Sequence, residues 1–405
     1  TGANAGQLSP AGQLVGGIVI GGNATATNAG AIALGGRSSA TAFTSTAVGA
    51  WANASGNAST AIGTPALSSG TNALAMQRQA AATAAHSIAL GSVSQASSNG
   101  AIAVGQSAAA TGLQSIAIGA SDSLTTNVHG TYDAATNAKA SAKKSVAIGS
   151  GSNASAENAL AQGTSATASG ESTIAMGASS TAAATSANAI GNMAAASGVD
   201  STAIGSKAQS TKQSALAIGS TAFADGSNAV AIGGQSQATF ATTTAVGTNA
   251  QAIATNATSL GAAAVANKDN AVAVGVNAKA QENSNIAIGN LANATGATSA
   301  IAIGRQSVAA GESSIATGYQ ASAANHATAL GSRATASGVN AVAQGSSATA
   351  SGENAVAIGS SAQALVQNVT AVGNRAGSSS SSEFDTAIGY GAGSYITPVA
   401  VDVGG

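Results

Sequence analysis

The chain has 405 residues, of which 52 are Gly, 6% are charged and 2% are aromatic, with a formal net charge of −1 and no Cys. A conventional globular core needs large aliphatic and aromatic side chains to offset the entropy of ordering the chain, and here Ala supplies most of the 44% hydrophobic content. The lack of basic clusters excludes a nucleic-acid-binding surface, the lack of Cys excludes a disulfide framework and a thiolate metal site, and the low charge is unlike an ordinary disordered chain.

What remains is regular stacking, in which neighbouring units supply the buried surface. Residues 1–30 form a lead-in or cap. Its apolar stretch from Leu14 to Ile20 holds two glycines, is too short to cross a bilayer and has no basic segment before it. Residues 31–389 repeat the pattern small-x-Ala-aliphatic-Gly, as in Ser145-Val146-Ala147-Ile148-Gly149. The glycine falls at Gly35, Gly49, Gly63, Gly91, Gly105 and Gly119, with Gln77 standing in once, which gives a step of 14. Trp51 follows two residues after Gly49 as an outward aromatic.

The step from Gly119 to Gly149 is 30, and two regular units account for 28, so a short addition is expected within residues 120–144. That stretch gathers His129, Tyr132, Asp133 and Lys139, with Lys143 and Lys144 beside them, in a chain otherwise poor in charge. Loops on rigid scaffolds often carry binding, so these residues, with Trp51 and Phe223, are the candidate ligand contacts; a merely solvated insertion is the plainer alternative. The step of 14 then runs from Gly149 to Gly289 and slips slightly at Gly304, Gly318 and Gly331, after which Gly345, Gly359, Gly373 and Gly389 complete the series. Residues 390–405 are a transition or cap, where Tyr390, Tyr395 and Pro398 cluster after Phe384.

Each copy has two alternating halves. Around Gly163 these are Ala159-Leu160-Ala161-Gln162 and Ala166-Thr167-Ala168-Ser169, joined by Thr164-Ser165. Period-two alternation predicts strand, and the Gly, Ser, Thr and Asn residues between halves are turn chemistry. One unit is therefore two short strands and two tight turns, which makes the fold an all-β parallel solenoid of 14-residue coils. The inward positions are Ala: Ala147, Ala217, Ala273 and Ala357 on one strand, Ala166 and Ala168 on the other. Outward positions on the second strand are polar. On the first they are aliphatic: Ile116 and Ile118, Val146 and Ile148, Leu216 and Ile218, Val230 and Ile232, Ile286 and Ile288, Val356 and Ile358. Stacking turns these into an apolar stripe too large for a soluble monomer, which predicts a homo-oligomer packed through that face. Gln162 and Gln344 interrupt the stripe and would place amides in the interface, needing partners or water.

Lys144-Ser145-Val146-Ala147-Ile148-Gly149, Asn228-Ala229-Val230-Ala231-Ile232-Gly233 and Asn354-Ala355-Val356-Ala357-Ile358-Gly359 resemble the head repeat of YadA-like trimeric autotransporter adhesins. The resemblance covers roughly Gly30 to Gly389. It implies a left-handed parallel β-roll, a homotrimer, and display on the outer membrane of a Gram-negative bacterium. The partners it implies are host matrix proteins, host cells or sister bacteria. The sequence shows no heptad stalk, neck or membrane-anchor barrel, so a phage-type or other trimeric fibre shaft is the alternative. An ice-binding solenoid would need a Thr-x-Thr ladder, and beyond Thr25-Ala26-Thr27 the outward polar positions mix Ser, Thr, Gln, Asn and Lys. Catalysis needs convergent acid, base or nucleophile groups, and the three histidines are too far apart along the repeat to supply them. The chain is accordingly expected to be no enzyme and to need no cofactor or metal, with a head that is not embedded in the membrane.

Overall fold

The computed structural model describes residues 4–5, 16–121, 136–377 and 383–393. His129, Tyr132, Asp133, Tyr395 and Pro398 lie outside the described residues. Every regular element among the described residues is a β-strand. The chain forms two compact units, Thr1–Thr211 and Lys212–Gly405.

In the first unit, three-residue strands recur from Ile18–Ile20 to Thr202–Ile204, alternating with two-residue strands from Thr25–Ala26 to Gln209–Ser210. In the second, three-residue strands run from Leu216–Ile218 to Thr386–Ile388, and two-residue strands from Phe223–Ala224 to Gln363–Ala364. Pairing is parallel and advances one coil at a time. Ile88 pairs with Ile102 and Ala81 with Gln95 in the first unit; Val230 pairs with Thr244 and Gln237 with Gln251 in the second. Each unit is thus a parallel β-solenoid with a long-strand sheet and a short-strand sheet. Ile18–Ile20 already pairs in register with Ile32–Leu34, so the coil pattern reaches into the segment before residue 31, where Val19 replaces the usual inward Ala.

The core is a column of methyl groups. Ala147, Ala217, Ala273 and Ala357 on the long strands and Ala166 and Ala168 on the short ones are all fully buried. Protein interiors tolerate no void, and a lumen closed by such short strands holds one methyl per position, so Ala is the side chain that fills it without strain. The glycine closing each long strand has two reasons to be there. Gly233 has φ +130°, and a Cβ on it would stand 2.5 Å from the carbonyl oxygen of Gly247 in the next coil. The second residue after that glycine and the ninth both adopt the left-handed conformation, as at Asn277 (φ 56°) and Asn354 (φ 57°). Asn, Ser and Asp accept that region most readily among non-glycine residues, which accounts for the polar turns. Where Asn recurs coil after coil it also bonds to itself: Asn340 Nδ2 donates to Asn354 Oδ1 (3.1 Å), and Asn354 Nδ2 to Asn368 Oδ1 (3.2 Å).

The 30-residue step corrects the expectation of two coils plus a short addition. Ile116 pairs directly with Val146 and Ala109 with Lys139, so one coil spans the step and exceeds the regular 14 residues by 16. The small slips also have local causes. Between Gly289 and Gly304 the step is 15, with the extra residue in the turn after Asn293–Ala294, since Asn293 pairs with Val308. Asn285, fully buried where most coils carry Ala or Ser, fills the widened turn. Its Nδ2 donates to the carbonyls of Ala294 and Gly296 (3.0 Å each), and its Oδ1 accepts from the Ala300 amide (2.8 Å). Between Gly318 and Gly331 the step is 13, and the corresponding turn is one residue shorter, with Asn325 Oδ1 accepting from the Glu312 amide (3.2 Å).

Asn285→Ala leaves two buried backbone groups unpaired, the Gly296 carbonyl and the Ala300 amide, while the Ala294 carbonyl keeps the Gln281 amide. At about 1–3 kcal/mol for each buried group left unpaired, the substitution is expected to cost roughly 2 kcal/mol or more after local relaxation. Urea unfolding and faster hydrogen exchange at the Ala300 amide are the measurements; unchanged exchange there would show that water replaces the side chain.

Candidate functional site

Three surfaces bear on function: the outward face of the long strands, the splice point of the extended coil, and the aromatic side chains on the turns and the short-strand sheet.

The outward long-strand face is apolar in both units. In the first, Ile116 stacks on Val146 and Ile118 on Ile148. In the second, Leu216 stacks on Val230 and Ile218 on Ile232, while Val272 and Val274 adjoin Ile286 and Ile288. Val356 and Ile358 occupy the same face. All fourteen named side chains are partly exposed, from half-buried at Val146 to 39% at Ile118. Gln162 sits in this column between Ile148 and Met176, and Gln344 between Leu330 and Ile358, both exposed. The short-strand sheet presents Thr167, Thr181, Gln237, Gln251 and Lys279 instead. The long-strand face of each unit is therefore mainly aliphatic, with Thr at some coils such as Thr60 and Thr244, and the short-strand face is mainly polar, with exceptions such as Leu67 and Val265.

At the extended coil, the chain leaves and re-enters the solenoid at adjacent points. Ser121 keeps the ladder to the coil before it through its amide to the Gln106 carbonyl (3.2 Å), and Thr136 keeps the ladder to the coil after it by accepting from the Gly151 amide (2.7 Å). The Ser121 and Thr136 hydroxyls hydrogen-bond to each other at 2.7 Å. Asn137, 6% exposed, donates from Nδ2 to the Ser107 carbonyl (2.6 Å). The extra residues are thus spliced into a single turn without interrupting either sheet.

This placement corrects the grouping of Lys139 with the insertion. Lys139 is the first residue of the short strand Lys139–Ala140, paired with Ala109 and Asn153, and belongs to the regular coil. Lys143 and Lys144 are likewise on an ordinary turn. Lys143 Nζ meets Glu157 Oε1 at 2.8 Å, a contact that with the ammonium charge holds the Glu157 carboxyl below its ordinary range. Both ends of this pair are exposed, so it contributes little to stability.

Trp51 occupies a left-handed turn position (φ 63°) and is 54% exposed, with the Arg37 guanidinium 4.3 Å from its ring centroid. The sequence hid this contact because Arg37 and Trp51 are 14 residues apart; the period itself is the signal, since positions one period apart stack. Phe223 opens the short strand Phe223–Ala224, half-buried and beside Gln237. Nothing draws Trp51, Phe223 and Lys139 into one cluster; they belong to different coils.

An Ala-filled parallel solenoid of 14-residue coils, with a mainly aliphatic long-strand face, a mainly polar short-strand face and a corner glycine, defines a stacked β-repeat module. The family comparison agrees. The YadA head domain repeat (2 copies) matches residues 15–38, 40–65, 68–94, 96–121, 136–152, 252–278 and 297–321, together with overlapping segments that cover 154–250 and 322–376. The chain belongs to the YadA head domain repeat family, which gives it an adhesin-type role in general. The matches leave out residues 122–135 of the extended coil and residues 279–296, which include Asn285. A comparison with curated proteins finds no match.

Excising Ser121–Thr136 joins Ala120 to Asn137 and regenerates a 14-residue coil from Gly119 to Gly149. The shortened chain is expected to keep the fold and to gain about 1 kcal/mol from reduced loop-closure entropy. Circular dichroism and thermal unfolding are the measurements; loss of the β-signal would mean that the splice residues are needed to hold the sheets.

Proposed function

We propose that the chain is the non-catalytic head of a homotrimeric adhesin, carried outside the outer membrane of a Gram-negative bacterium. It attaches to host matrix, host cells or sister bacteria. The observation that carries this reading is the apolar long-strand face. Fully burying a Val or Ile is worth roughly 1.5–3 kcal/mol, and the remaining exposure of each side chain here represents up to about a third of that. Across the fourteen named residues of each subunit this reaches at most roughly 10 kcal/mol, comparable to the ~4–15 kcal/mol cost of bringing subunits together. The other aliphatic rows of the same face then favour assembly. A closed ring around these faces satisfies them all, and family membership supports three subunits.

The mechanism is passive. A binding surface repeated by symmetry sums weak contacts through avidity, without a cofactor, a metal or a nucleic acid. The insertion residues His129, Tyr132 and Asp133, with Lys139 on the adjoining coil, are the proposed ligand contacts, together with Trp51 and Phe223. Their support is position: His129, Tyr132 and Asp133 fall between splice residues Ser121 and Thr136 on a scaffold that stays intact, and Trp51 is partly exposed and backed by Arg37.

The paired substitution Val230→Asp and Ile232→Asp is expected to convert the assembly into protomers in sedimentation velocity, because both side chains lie on the outward face and neither fills the lumen. A wild-type chain that sediments as a well-folded single protomer sinks the reading. The chain lacking Ser121–Thr136 is expected to attach several-fold less well to matrix- or cell-coated surfaces while its oligomeric state is unchanged; undiminished attachment removes the insertion from the site.

A further inference from the structure

In the second unit the turns that follow the long strands form an edge without acidic residues. From Ser220 to Gly391 the two positions after each corner glycine hold three arginines and no Asp or Glu, whereas Asp269, Glu282, Glu312 and Glu353 sit on the turns that follow the short strands. Two of those arginines and a tyrosine come from three successive coils. The Arg305 guanidinium carbon lies 4.8 Å from the Tyr319 ring centroid and that of Arg333 lies 5.8 Å from it. Arg305 Nη2 donates to the Tyr319 hydroxyl (3.2 Å), which holds that phenol below its ordinary range. Beside them runs a column of amides: Gln320 Nε2 donates to Gln306 Oε1 (3.3 Å), and Arg333 Nε donates to Gln320 Oε1 (3.4 Å).

Two like charges two coils apart repel, and neither Arg305 nor Arg333 meets a carboxylate among the described residues. The Tyr ring and the amide column hold the two cations in place. Each guanidinium spends one N–H on the protein and keeps the rest of its planar fork for an outside acceptor. Arg305 and Arg333 are exposed, and Tyr319 is half-buried between them.

We propose that Arg305, Tyr319 and Arg333 form a binding site for an acidic polysaccharide, with its acid groups on the two guanidiniums and its hydroxyls on the Gln306 and Gln320 amides. Arg forks suit carboxylate and sulfate, which they bind in a bidentate manner. The two arginines are two coils apart, on the order of 9.5 Å at the usual strand spacing. An extended acidic peptide repeats its same-face carboxylates every ~6.6–6.8 Å, which does not match. A nucleic acid would want a free aromatic face for its bases, and here guanidiniums lie over the ring. Acid groups on alternate sugars of an extended chain recur on the longer scale, and the amides meet the intervening hydroxyls. The site refines the adhesin reading and rests on it for the extracellular setting.

The test uses the full chain immobilised for surface plasmon resonance. Alginate and dextran sulfate are expected to bind in a salt-sensitive manner. Neutral dextran should not bind, and polyglutamate and a single-stranded oligonucleotide should bind about tenfold more weakly than the acidic polysaccharides, having the wrong charge spacing or no stacking face. The double variant Arg305→Gln/Arg333→Gln is expected to lose about tenfold or more in affinity through loss of both forks. The single variant Arg305→Gln should lose part of it, and Lys268→Gln, at an exposed cation on a turn that follows a short strand, none, with unchanged thermal unfolding in all three. No retention of either acidic polysaccharide overturns the proposal, as does equal binding of polyglutamate or oligonucleotide, or unchanged affinity in the folded double variant. If the double variant still attaches to matrix- or cell-coated surfaces as well as wild type, the site fails while the adhesin reading stands; loss of attachment by wild type itself fails the adhesin reading.

Discussion

Two sheets that close on each other through tight turns leave room inside each coil for little more than a methyl group, and fully buried alanines such as Ala147 and Ala168 fill it. With the lumen this narrow, bulky side chains such as Ile and Leu face outward on the strands, where the two strands of a coil treat them differently. The long strand carries Ile and Val outward, so each unit has one face that water does not favour. The short strand carries Thr, Gln and Lys outward, so the opposite face is wetted. The proposed assembly through the first face and the proposed display through the second both rest on the size of the lumen. The same closeness explains the corner glycines, since a Cβ at Gly233 would collide with the backbone one coil on.

Most of this architecture was legible in the sequence, because a strict period makes every copy an independent reading of the same unit. The inward alanines, the outward Ile and Val pairs and the turn positions were assigned from alternation alone, and the in-register pairing of Ile116 with Val146 or Val230 with Thr244 agrees with them. The period failed where it was interrupted. A 30-residue step fits two coils as easily as one on arithmetic, and only the direct pairing of Ala109 with Lys139 decides between them. Lys139 was consequently placed in the wrong element.

The functional surfaces were less legible for a related reason. Contacts between side chains one period apart, such as Arg37 over Trp51 or Arg305 and Arg333 over Tyr319, look like isolated residues along the chain and become neighbours only after stacking. The widened turn gave a signal that alternation does not weigh: Asn285 stands where neighbouring coils carry Ala, and one coil later the step lengthens. A residue too large for its slot and a turn too long for its coil are complementary defects, and they occur together.

The hydroxyl contact between Ser121 and Thr136 has an evolutionary consequence. A scaffold whose ladder hands over from one residue to another at a single turn can exchange the intervening cassette without renegotiating its interior. Length and composition of such a cassette are then free to drift under selection by whatever it meets. Each coil offers a homologous turn, so recognition can diversify by transplantation between positions, on a time scale decoupled from that of the fold.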